Sequence, residues 1–105
     1  MNEIANIEHA EIIFKQEGVT GKLLLKRSKN EFVYLTFDKA SETQAHVQDV
    51  LMSFYIVTGE ATVIIEDQTL HLKKGQLIEI EPGKNRKWIN SGSEKLELFV
   101  VKTII

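Results

Sequence analysis

The sequence predicts an all-β barrel or sandwich. Short runs rich in Ile, Leu, Val, Phe and Tyr succeed one another along the chain. Glycine and other turn-forming residues separate them, and several runs alternate apolar with polar side chains. With 105 residues, the chain is read as one domain over residues 1–105.

The N-terminal strands fall within residues 11–38. Glu11–Lys15, Lys22–Arg27 and Glu31–Asp38 are each apolar enough to be strands, with Ser28-Lys29-Asn30 as the turn between the last two. Leu51–Thr58 and Glu60–Glu66 read as a strand pair around Gly59. Asp67-Gln68 then makes a tight turn before Thr69–Lys73, where Leu70 and Leu72 alternate with Thr69, His71 and Lys73. Gln76–Glu81 sets Leu77, Glu79 and Glu81 on one side and Gln76, Ile78 and Ile80 on the other. Lys95–Thr103 closes the chain as an apolar strand that runs into Ile104-Ile105.

Two segments also carry a helical pattern. Ser41-Glu42-Thr43-Gln44 has the form of a capping box, and Val47, Val50, Leu51 and Phe54 recur at helical spacing. In Asn2–Ala10, Ile4 and Ile7 share a helical face.

Charge and composition exclude several functions. Thirteen Lys+Arg against 15 Asp+Glu give a net charge of −2, without the basic footprint of a nucleic-acid binder. Lys73-Lys74 and Lys84 through Lys87 form only a short basic cluster, read as solvated turns. The chain has no cysteine, which excludes disulfides, thiolate metal sites and cysteine nucleophiles. No apolar run approaches the roughly 20 residues that cross a bilayer. The start, MNEIANIEHAEIIF, lacks the pattern of a signal peptide. A cytoplasmic protein without a membrane or nucleic-acid partner is expected.

The spacing of His46, Gly59, Gly75, Gly83 and Asn90 resembles the cupin superfamily. That family's first motif falls on Ala40, His46, Gln48, Met52 and Gly59, and its second on Gly75, Glu81, Gly83, Arg86 and Asn90. The motif-bearing core spans about 40–103, and the strands within 11–38 fit the same barrel. The resemblance implies a double-stranded β-helix, the jelly-roll barrel, and favours strand and loop over helix after Ser41. It also implies a homodimer, a habit common in the family.

Five motif positions depart from the pattern: Ala40, Gln48, Met52, Glu81 and Arg86. In metal-binding cupins, histidines and a glutamate hold the ion, and their places here are taken by His46, Gln48, Met52 and Arg86. Arginine has no acceptor and stays protonated, so Arg86 repels a cation. The Met52 thioether suits Fe or Mn poorly, and the neutral donors Gln48 and His46 make a weak pair. No metal and no cofactor are expected, with a divalent metal as the alternative.

With side-chain parity, the resemblance implies that His46, Gln48, Met52, Phe54 and Ile56 face the barrel interior with Arg86 and Trp88, and that Glu79 and Leu77 share the space. An apolar pocket with a few converging polar groups is the usual form of a small-molecule site. Arg86 is either an anion clamp, an internal partner of Glu79, or a solvated residue at the mouth. His46 is a base or hydrogen-bond donor toward a ligand, or a buried structural histidine. Trp88 and Phe54 either wall the pocket and cover Arg86 or simply fill the core. His71 belongs on the surface. The resulting expectation is a metal-independent barrel that binds a small anionic organic ligand through His46, Gln48, Met52, Phe54, Glu79, Arg86 and Trp88. The alternative is a cupin enzyme: a metal-dependent oxygenase or isomerase with atypical ligands, or a metal-free isomerase using His46 and Glu79.

Overall fold

A computed structural model describes residues 2–104, so Met1 and Ile105, the ends of the expected domain, lie outside the described residues. The strands in chain order are β1 (Glu11–Gln16), β2 (Val19–Lys26), β3 (Asn30–Phe37), β4 (His46–Val47) and β5 (Leu51–Thr58). They continue with β6 (Glu60–Ile65), β7 (Gln68–Lys73), β8 (Leu77–Ile80), β9 (Asn85–Asn90) and β10 (Leu96–Thr103). A six-stranded sheet has the order β1-β2-β3-β10-β5-β8, and a four-stranded sheet has the order β4-β9-β6-β7. Every pairing is antiparallel. The two sheets enclose one core, as expected of a jelly roll. Among the described residues no helix is long and apolar enough to cross a membrane.

Period-two alternation builds the core directly. On β10, Leu96, Leu98 and Val100 are buried, while Glu97, Phe99 and Val101 lie on the outer side. Val33 and Phe37 of β3, together with Met52, Phe54 and Ile56 of β5, extend that inner face. The four-stranded sheet supplies Ala61, Val63 and Trp88 opposite them.

Two expectations change, and the segment after Ser41 takes the strand and loop that the resemblance favours. The helical option in Asn2–Ala10 shrinks to a single 3-10 turn, Ile7–His9, where the Asn6 side chain accepts from the Glu8 amide at 2.9 Å. The capping-box segment is not helical. The Thr43 hydroxyl accepts from the Trp88 amide at 3.0 Å, and the Thr43 amide donates to the Trp88 carbonyl at 2.8 Å. Pairing with β9 therefore overrides the local helical pattern. Lastly, β5 and β6 are not paired with each other, because they lie in different sheets. Gly59, at φ 95°, turns the chain from one sheet to the other. A Cβ there would stand 2.8 Å from the Lys95 carbonyl oxygen, so both the turn and the close approach require glycine.

The outer face of the six-stranded sheet holds a further polar contact. The Tyr34 hydroxyl donates to Glu97 Oε1 at 2.5 Å across the β3–β10 pair. Burial first, and then the hydrogen bond and charge of Glu97, push the phenol up from 10.0 to about 12. A folded-state value above the unfolded one gives stability that is complete below about pH 10 and lost as pH rises toward 12. Alkaline titration of phenolate absorbance is expected to contain a component near 12 that Tyr34→Phe removes. A wild-type curve lacking that component would contradict the contact.

Candidate functional site

Between the sheets lies a cavity of about 100 Å³. Its walls are mostly apolar: Phe14, Val33, Met52, Phe54 and Val100 on the six-stranded side, with Trp88 of the four-stranded sheet opposite. The polar lining comes from Thr43, His46, Gln48 and Lys102, and among the described residues no carboxylate faces the space. His46, Gln48, Met52, Phe54 and Trp88 are thus brought together as the sequence suggests.

His46 pairs directly with Arg86 across β4 and β9, which sets both on one face of that sheet. The His46 Nδ1 lies 3.0 Å from the Gln44 carbonyl oxygen. A carbonyl only accepts, so Nδ1 carries the proton of that bond and Nε2 is the nitrogen left for other partners. The Phe54 and Trp88 rings are in contact, with centroids 4.8 Å apart and a 41° tilt.

Arg86 is 1% exposed, yet it does not line the cavity. Met52 and Phe54, which do, are its neighbours: Nη2 donates to Met52 Sδ at 2.8 Å, and the guanidinium carbon lies 6.0 Å from the Phe54 ring centre. Among the described residues, Arg86 Nε and Nη1 have no hydrogen-bond partner, and neither does Trp88 Nε1. Burial pushes the Arg86 pKa below the ordinary arginine value, but a guanidinium remains charged at neutral pH. Among the described residues no carboxylate pairs with it.

Glu79 does not belong to this group. In the β5–β8 pairing, Met52 stands opposite Ile80, Ser53 opposite Glu79, and Phe54 opposite Ile78. Because Met52 and Phe54 point inward, Ile80 and Ile78 do too, and Glu79 is sent to the outer face with Leu77, which is 61% exposed. There Glu79 Oε2 accepts from Ser53 Oγ at 3.4 Å. The Arg86–Glu79 pair, one of the alternatives open for Arg86, is therefore not formed, and His46 and Glu79 do not face one space.

Sequence reasoning missed Thr43 and Lys102. Thr43 sits in the segment whose helical pattern competes with its real role. Lys102 continues the inward series Leu96, Leu98 and Val100, and that parity was the available signal. At the rim its Nζ lies 3.9 Å from Glu31 Oε1, while Lys26 lies 3.9 Å from the other carboxylate oxygen.

The residues present do not fit a metal ion. The position implied for one ligand holds a buried guanidinium bonded to the thioether implied for another. Among the described residues no three His, Cys, Asp or Glu side chains gather at ligating distance.

Two antiparallel sheets closed around an internal cavity define a small jelly-roll barrel. A family model described as "Cupin domain" matches residues 33–102, and the chain belongs to the cupin superfamily. An RmlC-like cupin from Shewanella frigidimarina is similar in structure, with TM-score 0.84 and 19% identity over 100% of this chain and 93% of its own. The polyketide cyclase RemF from Streptomyces resistomycificus gives 0.85 at 14% identity, over 100% and 81%. The Cnp3 cupin domain of Schizosaccharomyces pombe gives 0.83 at 18% identity, over 95% and 72%. No curated protein matches the sequence. At these identities the likeness concerns the fold, which hosts many functions.

Proposed function

We propose that this cupin is a metal-independent barrel that binds a small anionic organic molecule in its interior. The observation that carries this reading is Arg86, a guanidinium 1% exposed with two nitrogens lacking partners. An isolated buried charge is expensive, and a site that keeps one needs a counter-charge. Among the described residues the adjoining cavity has no carboxylate, and it adds His46, Gln48 and Lys102 as polar groups. A thermal-shift screen of carboxylates, phosphates and sugars is expected to find stabilising anions whose effect disappears in Arg86→Ala. If only neutral molecules stabilise the protein, or if the effect survives that substitution, the reading fails.

We also propose that the protein forms a homodimer through its N-terminal edge. In support, β1 is an edge strand with open hydrogen-bonding groups, and Ile12 and Ile13 on it are exposed, as are Ile4 and Ile7 just before it. A two-fold axis lets such an edge pair with its own copy. Light scattering at micromolar concentration is expected to give twice the chain mass, and a value near 12.0 kDa would reject the dimer.

A further inference from the structure

Within the reading just proposed, we infer that the ligand is a small monocarboxylate with an apolar body, and that Met52 is the gate it displaces to reach Arg86. Three buried N–H nitrogens support this: among the described residues Arg86 Nε and Nη1 and Trp88 Nε1 lack partners, and they belong to successive inward positions of β9. The fourth donor, Arg86 Nη2, is held only by Met52 Sδ, and a thioether is a weak, uncharged acceptor. Two carboxylate oxygens match two parallel guanidinium donors, which one sulfur cannot.

The charge arithmetic selects a monoanion. Arg86 is one buried positive charge, and Lys102 at the rim already has Glu31 nearby. A single negative charge balances that guanidinium, whereas a phosphate dianion would leave excess charge in an apolar enclosure. The walls Val33, Phe54 and Val100 suit a short hydrocarbon body, and the cavity of about 100 Å³ limits it to a few carbons.

The gate follows from position. Met52 lines the cavity while its sulfur touches the guanidinium, so it stands between the ligand space and the charge. Its unbranched side chain has rotatable bonds enough to swing aside, unlike the aromatic Phe54 beside it. On binding, Nη2 exchanges the sulfur for a carboxylate oxygen.

Trp88 is the only tryptophan and lines the cavity, so stopped-flow fluorescence reads binding directly. Acetate, propionate and butyrate are the probes, with propionamide and inorganic phosphate as controls. Saturable binding is expected for the carboxylates, at least about tenfold weaker or absent for both controls, and lost in Arg86→Met. Met52→Ala is expected to speed association about tenfold, and Met52→Leu, which keeps the bulk, is not. Where Met52→Ala does not fold, the Met52 methyl carbon resonance is read in the intact protein. Only two methionines exist, and Met52→Leu identifies the signal. Propionate is expected to shift it, and to leave it in place once Arg86 is replaced.

Arg86-dependent carboxylate binding with unchanged association rates in Met52→Ala, or an unmoved methyl signal, would overturn the gate and leave the anion site standing. Equal binding of phosphate or of the amide would overturn the monocarboxylate. Failure of every anion to bind wild type and Met52→Ala alike would remove the site itself.

Discussion

Arg86→Met is expected to make the ligand-free protein more stable, by about 1–4 kcal/mol. The guanidinium is 1% exposed, and among the described residues it lacks a carboxylate partner and leaves Nε and Nη1 without acceptors. Each unsatisfied buried polar group costs about 1–3 kcal/mol. Methionine removes the charge and those donors while occupying much of the same space beside Met52 and Phe54. Against this stands the loss of the cation–π contact with Phe54 at 6.0 Å. That term reaches about 2 kcal/mol when desolvated, less than the burial cost of an unpaired charge. For a domain of this size each kcal/mol moves Tm by roughly 4–8 °C. Urea unfolding checks the result, with an expected rise in midpoint and an unchanged m value. A lower midpoint in anion-free buffer would mean that Arg86 serves packing, not recognition. Lost ligand binding together with increased stability is the signature of a residue kept for function.

Asn90→Asp is expected to cost about 3 kcal/mol or more near neutral pH, because one atom exchange inverts a satisfied network. Asn90 Nδ2 donates toward the carbonyls of Phe37, Asp38 and Glu94, at 3.3, 3.0 and 2.9 Å. Its Oδ1 accepts from the Gly92 amide at 3.1 Å. These contacts fasten the end of β3 to the end of β9, and so join the two sheets. An aspartate of the same shape has no donor when ionised and brings an oxygen against three oxygens. Its folded-state pKa is then raised above the unfolded value of about 3.9. The variant's deficit is smallest below that value and grows as pH rises through the folded-state pKa. Denaturant midpoints measured at pH 4 and pH 7 check this, and a deficit equal at both would refute the account.

Much of the fold is legible because alternation survives in the sequence. β5 has the bounds read for it, and β10 differs by one residue at its start. β9 is harder to see. Its buried positions are Arg86, Trp88 and Asn90, so two of the three residues facing inward are polar and the hydrophobic pattern is broken where the site lies. Glu79 shows a different limit. Leu77 on one side of β8 competes with Ile78 and Ile80 on the other, and only the register against β5 decides which side turns inward. The separation of β5 from β6 is equally nonlocal, since Gly59 sits where either a hairpin or a change of sheet is possible. Family resemblance placed Met52 and Arg86 near one another. That they bond, and that Arg86 does not itself line the cavity, depends on packing.

The place of β10 between β3 and β5 has a consequence for synthesis. The last described strand to leave the ribosome is also the one that joins the first three strands to the rest of the larger sheet. Until Leu96–Thr103 emerges, β3 and β5 have no common partner, and the apolar inner faces of the growing chain stay uncovered. Barrel closure must therefore follow translation of Leu96–Thr103, and a nascent chain stalled before Leu96 is one for chaperones to hold.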